Sequence, residues 1–428
     1  MTCIYLNPIF EAHSNHRYNT ADYFKIDPML GDENDFKELC KAAAERGIRI
    51  VLDGVFSHTG EDSIYFNKNN RYKSVGAAQD RQSPYYSWYT FSRYPDRYNA
   101  WWGIKSLPEV NEENPEYLEF ITGENGVARY WLRLGASGWR LDVADELPDL
   151  FLDRFNSAVK KENPEAIIIG EVWEDASNKE SYGHRRRYFQ GGQLDSVMNY
   201  PFYEAVLKFL RGGTADKLME AVCEIVENYP PEVTKLLMNH MGTHDTERLI
   251  TALCGERPMG RGREWQSCHH MSEEEFFRGK KFVRLAAALQ YTLPGVPCVY
   301  YGDELGEEGY SDPFNRGVFD FEKGDKDLCE FYKIMGKIRR DFKEAFCGEF
   351  VPVFAEAGHI AYIRKSENIS ILVGVNRWCD EESFPLQEGF ENCEIMFGRT
   401  DENRVYIPPE GIALLIKLKR IENNMPKT

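Results

Sequence analysis

Phe36-Lys-Glu-Leu-Cys-Lys-Ala-Ala-Ala-Glu-Arg-Gly-Ile-Arg-Ile-Val-Leu-Asp-Gly-Val-Phe56 carries the fold decision in one stretch. Phe36–Arg46 is helical in pattern, begins after Asp32 and Asn34, and stops at Gly47. The next run, Ile48–Phe56, is apolar and β-branched without alternation, the mark of a parallel strand covered on both faces. Its C-terminal end delivers polar residues, Asp53 and then His58.

Moving outward, the unit recurs. Ile4–Phe10, Gly138–Ala144, Ala166–Trp173, Ser196–Tyr200, Lys235–His240 and Val296–Glu304 read as further strands. Between them Asn114–Pro115 caps one helix, and Val127–Leu134 stops at Gly135. Asn7, Arg140 and Asp142, Glu171, Asn199, His244 and Asp245, and Asp303 and Glu304 lie at or past strand ends. Polar groups at every strand end fit a closed barrel; a doubly wound sheet gathers them at one switch point. The expected fold is therefore α/β, a (β/α)8 TIM barrel. Seven strands are counted, so the first strand and its helix are expected upstream of Met1. A barrel without them would expose apolar edges and hold its site poorly.

Two segments break the rhythm. Residues 59–109 are rich in Tyr, Trp, Arg and Asn and too long for a plain loop, so they read as a small inserted domain. After about Arg340 the pattern becomes short strands, Val351–Phe354, His359–Arg364, Ile369–Val375, Glu394–Phe397 and Ile412–Leu418. The expected organisation is a barrel from 1–58 and 110–340, the insertion at 59–109, and an antiparallel β domain at 341–428.

A net charge of −17 argues against nucleic acid, and no apolar run has the length of a membrane span. Ten cysteines without CxxC spacing favour reduced thiols and a cytoplasmic location. Cys268, His269 and His270 lack a second spaced pair, so no metal is expected there. Aromatic residues make up 14% of the chain, which suits stacking on sugar rings and equally suits a large core.

Gly138-Trp-Arg-Leu-Asp-Val-Ala-Asp145 places Arg140 and Asp142 two apart on one strand, on the same face. An arginine there holds Asp142 ionised, as a nucleophile requires. Gly170-Glu-Val-Trp-Glu174 ends the next strand at Glu171, and Trp173 as an apolar neighbour suits a general acid. Two carboxyl groups flanking a glycosidic bond are the minimum machinery for its hydrolysis. Each motif alone reads equally as a structural carboxylate.

Taken together and in this order, these segments resemble the α-amylase family of glycoside hydrolases. Asp53-Gly-Val-Phe-Ser-His58, Gly138–Asp145, Gly170–Trp173 and Gly242–Thr246 look like its four signatures, and Ser106-Leu-Pro-Glu-Val-Asn111 like a fifth. Asn15–Tyr23 and Tyr98-Asn-Ala-Trp-Trp-Gly103 carry the look of the neopullulanase, cyclomaltodextrinase and amylopullulanase group. The resemblance implies a nucleophile at Asp142, a general acid and base at Glu171, and a transition-state stabiliser at Asp245. It implies substrate contacts from His58, Arg140, His244, Tyr18, Trp101, Trp102, Asp312 and Arg316, with core packing the competing reading of the tryptophans. Asp53 matches a position usually read as structural. The implied reaction is retaining hydrolysis of α-1,4 bonds, with α-1,6 bonds also in reach, in maltodextrins, starch, pullulan or cyclodextrins. The alternatives are a transglycosidase or glucan isomerase on the same scaffold, and a truncated carbohydrate-binding relic. No cofactor is expected: Ser57 stands where many members carry a calcium-ligating asparagine, so calcium is not supported. The expected partner is an α-glucan, with no nucleic acid and no membrane, and with a homodimer in the full-length form.

Overall fold

The computed structural model describes residues 1–320 and 322–419. The chain divides into two compact units, Met1–Met198 and Asn199–Thr428.

In the first unit five parallel strands, Cys3–Tyr5, Arg49–Gly54, Gly138–Leu141, Ile167–Gly170 and Ser196–Val197, pair in the order in which they occur in the chain. A sheet whose spatial order never reverses winds in one sense, as barrel sheets do. The strands are shorter than the apolar runs that announced them, because each run continues into the polar loop at its C-terminal end. Arg49–Gly54 is buried from Ile50 onward, which explains its lack of alternation. The preceding helix spans Glu33–Ala44; Asp32 accepts from Asn34 and Asp35 backbone N–H groups and completes a capping box, a device contributing about 1 kcal/mol. Asn114 caps Pro115–Thr122 by accepting from the Glu116 and Tyr117 backbone N–H groups, with proline in the first turn.

The aromatic content is used mostly for packing. Trp131 and Trp139 are buried with Phe10, Phe56 and Phe155, their rings 5.0–6.3 Å apart. Within residues 59–109, Tyr65, Phe66, Trp88 and Tyr89 form a buried cluster with little regular structure around it.

In the second unit Met238–His240 and Val296–Cys298 pair in parallel, with helix Glu273–Thr292 between them in the chain. Residues 349–418 form two antiparallel sheets. The larger has the order Glu349–Glu356, His359–Lys365, Ile369–Asn376, Gly411–Leu418, Glu394–Phe397. The smaller, Glu382–Pro385, Arg404–Ile407 and Arg399–Thr400, has no counterpart in the sequence reading; these strands are short and largely polar. Phe384 and Ile407 pack from it into a core with Leu372 and Leu415. Among the described residues no helix is long and apolar enough to cross a membrane, and all ten cysteines are free.

Candidate functional site

In the first unit the expected residues converge on Arg140, which is fully buried. Its Nη1 donates to Asp53 Oδ1 and Asp142 Oδ1, both at 2.8 Å. Its Nη2 lies 2.7 Å from Glu171 Oε2. Arg140 points inward from Gly138–Leu141; Asp142 and Glu171 each directly follow one of two adjacent strands. Glu171 Oε2 also accepts from the backbone N–H of Val143 at 2.9 Å.

One guanidinium charge is thus shared by three carboxylates. Burial pushes the Asp142 carboxyl well above the usual carboxylate range; Arg140 opposes this, while Glu171 and Asp53 add to it. Arg140 thus favours the ionised form of Asp142, but its charge is divided among three carboxylates and desolvation is the larger effect. Trp173 also differs from expectation. It meets Glu171 with its indole N–H, 3.2 Å from Oε1, rather than with an apolar face.

Asp53 is held in place by two hydroxyl donors on Oδ2, Tyr5 at 2.6 Å and Tyr18 at 2.8 Å. His58 is buried; its Nε2 faces the carbonyl of Tyr18 at 3.1 Å and so carries the proton, leaving Nδ1 to accept from Ser57 Oγ at 2.9 Å. Burial lowers its pKa to about 4, so the ring is neutral at ordinary pH. Among the described residues no group of three or more His, Cys, Asp or Glu side chains is arranged to hold a metal.

The tryptophans resolve differently. Trp101 is half-buried, its ring centroid 5.1 Å from that of His58. Trp102 is 79% exposed, which rules out core packing for it. Both indoles donate to Glu146, Trp101 to Oε2 at 2.6 Å and Trp102 to Oε1 at 2.7 Å. Sequence reasoning missed Glu146, although it stands only four residues beyond Asp142.

The second unit gathers the remaining expected residues. His244 is buried, its Nε2 3.1 Å from Asp245 Oδ2, and Asp245 is exposed. Arg316 bridges Asp312 at 2.6 Å and Asp245 at 3.7 Å, and donates to the His244 carbonyl at 3.2 Å. Asn315 fixes the same turn through the carbonyls of His244 and Thr246, each at 2.7 Å.

Residues 1–344 match the family model described as alpha amylase, catalytic domain. The chain belongs to the α-amylase family. It is 36% identical over 403 residues to an amylopullulanase from Thermoanaerobacter thermohydrosulfuricus, covering 86% of this chain and 26% of that protein. It is 34% identical over 399 residues to a cyclomaltodextrinase from Geobacillus thermopakistaniensis, covering 90% and 61%. The chain thus spans between about a quarter and three fifths of these relatives. Among solved structures, the Nostoc punctiforme debranching enzyme matches with a TM-score of 0.82 at 28% identity, covering 97% of this chain and 85% of that one. The fold is accordingly the α/β TIM barrel of the α-amylase family with an all-β C-terminal domain.

Proposed function

We propose that this chain hydrolyses α-1,4-glucosidic bonds, and α-1,6 bonds at branch points, in maltodextrins and related α-glucans, with retention of configuration. The observation that carries the reading is the Asp142–Arg140–Glu171 arrangement, two buried carboxyl groups on the two ends of one guanidinium. Retention needs two carboxyl groups about 5 Å apart, and a shared guanidinium favours such closeness. In this reading Glu171 protonates the glycosidic oxygen while Asp142 attacks the anomeric carbon, forming a glycosyl ester and releasing the shortened glucan. Glu171 then takes a proton from water, whose oxygen displaces Asp142 and frees the sugar. Asp245 holds hydroxyls of the distorted ring and offsets its developing positive charge. His58, His244, Tyr18 and Arg316 contribute sugar contacts, and residues 59–109 act as the inserted domain carrying Trp101 and Trp102. The ten free thiols favour the cytoplasm as the place of action.

The test is hydrolysis of maltohexaose by the purified chain and by Asp142→Asn. Loss of a nucleophile lowers kcat by at least about 10³-fold; unchanged turnover in the variant rejects the assignment. Product analysis from maltotriose decides the acceptor, since longer oligosaccharides report transfer to sugar and maltose with glucose reports water.

A further inference from the structure

Asp245 is exposed, yet the backbone on both sides of it is held by one buried side chain. The Asn315 amide donates from Nδ2 to the carbonyls of His244 and Thr246, each at 2.7 Å, and lies 3.4 Å from the Thr243 carbonyl. His244 and Thr246 directly precede and follow Asp245. The Asp245 N–H completes the clamp by donating to Thr243 Oγ1 at 3.1 Å. Asn315 is fully buried, so it acts on a substrate only through what it holds.

The chemistry of the position selects an amide. Carbonyls offer acceptors only, so the side chain facing them needs donors, and a primary amide carries two N–H groups on one nitrogen. Turned over, Asn315 would set its own oxygen against the three carbonyl oxygens. As placed, Oδ1 is buried and accepts from no described group, a cost that the N–H bonds offset. Serine would supply one donor here and alanine none.

The clamp stands on a fixed base. Gly309 lies so close to it that an added Cβ would meet the Phe314 carbonyl at 2.5 Å and Asn315 Cα at 3.1 Å. Gly309 is itself tied to helix Leu249–Cys254 and its cap. Its carbonyl accepts from the Arg248 N–H, and its own N–H donates to Thr251 Oγ1, both at 2.9 Å. The next residue, Arg316, reaches the Asp245 carboxylate at 3.7 Å. Asn315 thus governs the backbone, and Arg316 the side chain, of one acidic residue.

We propose that Asn315 is a positioning residue for Asp245, holding the peptide groups on either side so that the carboxylate keeps its place against a distorted sugar ring. The role of Asp245 rests on the hydrolase reading above. Positive charge develops on that ring only in the transition state, so a misplaced carboxylate lowers kcat rather than raising KM.

The test compares the full chain with Asn315→Ala and Asn315→Ser, each with Asp245 intact and with Asp245→Asn. One readout is kcat and KM on maltotriose. The other is calorimetric affinity for acarbose, an oligosaccharide analogue with a flattened terminal ring and a protonated nitrogen. With Asp245 intact, Asn315→Ala should lower kcat about 10- to 100-fold, leave KM within about threefold and weaken acarbose about tenfold. Asn315→Ser keeps one donor and should fall between alanine and the parent. With Asp245→Asn, Asn315→Ala should change acarbose affinity less than about twofold, since the group it acts through is gone. Equal losses in both backgrounds, or an unchanged kcat in both variants, overturn the proposal. If Asn315→Ala does not fold, Asn315→Ser carries the same cycle. The hydrolase reading fails separately: a parent that binds acarbose with this coupling but leaves maltotriose intact keeps the positioning role and loses the reaction. Cleavage with a kcat independent of Asn315 keeps the reaction and loses the positioning role.

Discussion

Arg140 and Asp53 form an ion pair without side-chain exposure, Nη1 to Oδ1 2.8 Å, and the same Nη1 is shared with Asp142. Asp53 therefore competes with Asp142 for one charge while its own carboxylate repels that of Asp142. The nucleophile role requires Asp142 ionised, so kcat/KM should fall on the acid side at a pH above the usual carboxylate range. Asp53→Asn removes one negative charge and frees Arg140, which should move this acid limb to lower pH. The check is the pH profile of kcat/KM on maltotriose; an acid limb that stays in place or rises in Asp53→Asn contradicts the charge-sharing account.

The same buried charge bears on stability. Asp142 has a folded-state pKa above its unfolded value, so its contribution is complete at low pH and is lost as pH rises through the raised value. Asp142→Asn escapes that loss. Its melting temperature should exceed that of the parent by a few degrees at pH 8, about 1 kcal/mol, and the gain should shrink towards pH 5. Scanning calorimetry at the two pH values measures it, and a variant that melts lower at pH 8 counts against the argument.

The catalytic candidates were legible because barrel strands announce themselves as apolar runs and end in the residues that matter. Arg140, Asp142 and Glu171 could be placed at strand ends by their apolar runs, whereas their expected roles came from the resemblance of the combined motifs to the α-amylase family. What stayed hidden depends on pairings across sequence distance. Glu146 reads as one more acidic residue until two indoles more than 40 positions away are found on it. Trp173 shows the opposite failure: its type was read as apolar surface, whereas its orientation offers Glu171 a donor. The Glu382–Pro385 and Arg404–Ile407 strands were missed because their stability comes from burying Phe384 and Ile407 in a core made by the neighbouring sheet.

Two buried carboxyl groups outside the reacting pair give a second pH signature. Asp303 is pushed up to about 7 and Glu112 to about 8, in each case chiefly by burial. Unfolded, both titrate near 4. The folded chain binds these protons more tightly, so their stabilising contribution is full below about pH 4 and is lost as pH rises to 7–8. Asp303→Asn should flatten part of that decline. Urea midpoints of the parent and the variant at pH 5 and pH 8.5 test it, and parallel declines in the two would refute the assignment.

Gly242 offers a sharper test of how the second unit holds its loop. A Cβ added there would sit 2.3 Å from Asp303 Oδ2, a contact that requires the carboxyl group to move. Asp303 is buried and close to Arg248 and the Leu249 N–H, so it has little room to yield. Gly242→Ala should therefore cost about 1–3 kcal/mol, the usual penalty of overpacking. The strain should also displace His244 and Asp245, which follow within three residues. In an Asp303→Ala background the obstructing carboxyl group is gone, so the same substitution should cost at least about 1 kcal/mol less. Urea unfolding of the four proteins closes the cycle, and equal costs in both backgrounds would show that Asp303 is not what Gly242 makes room for.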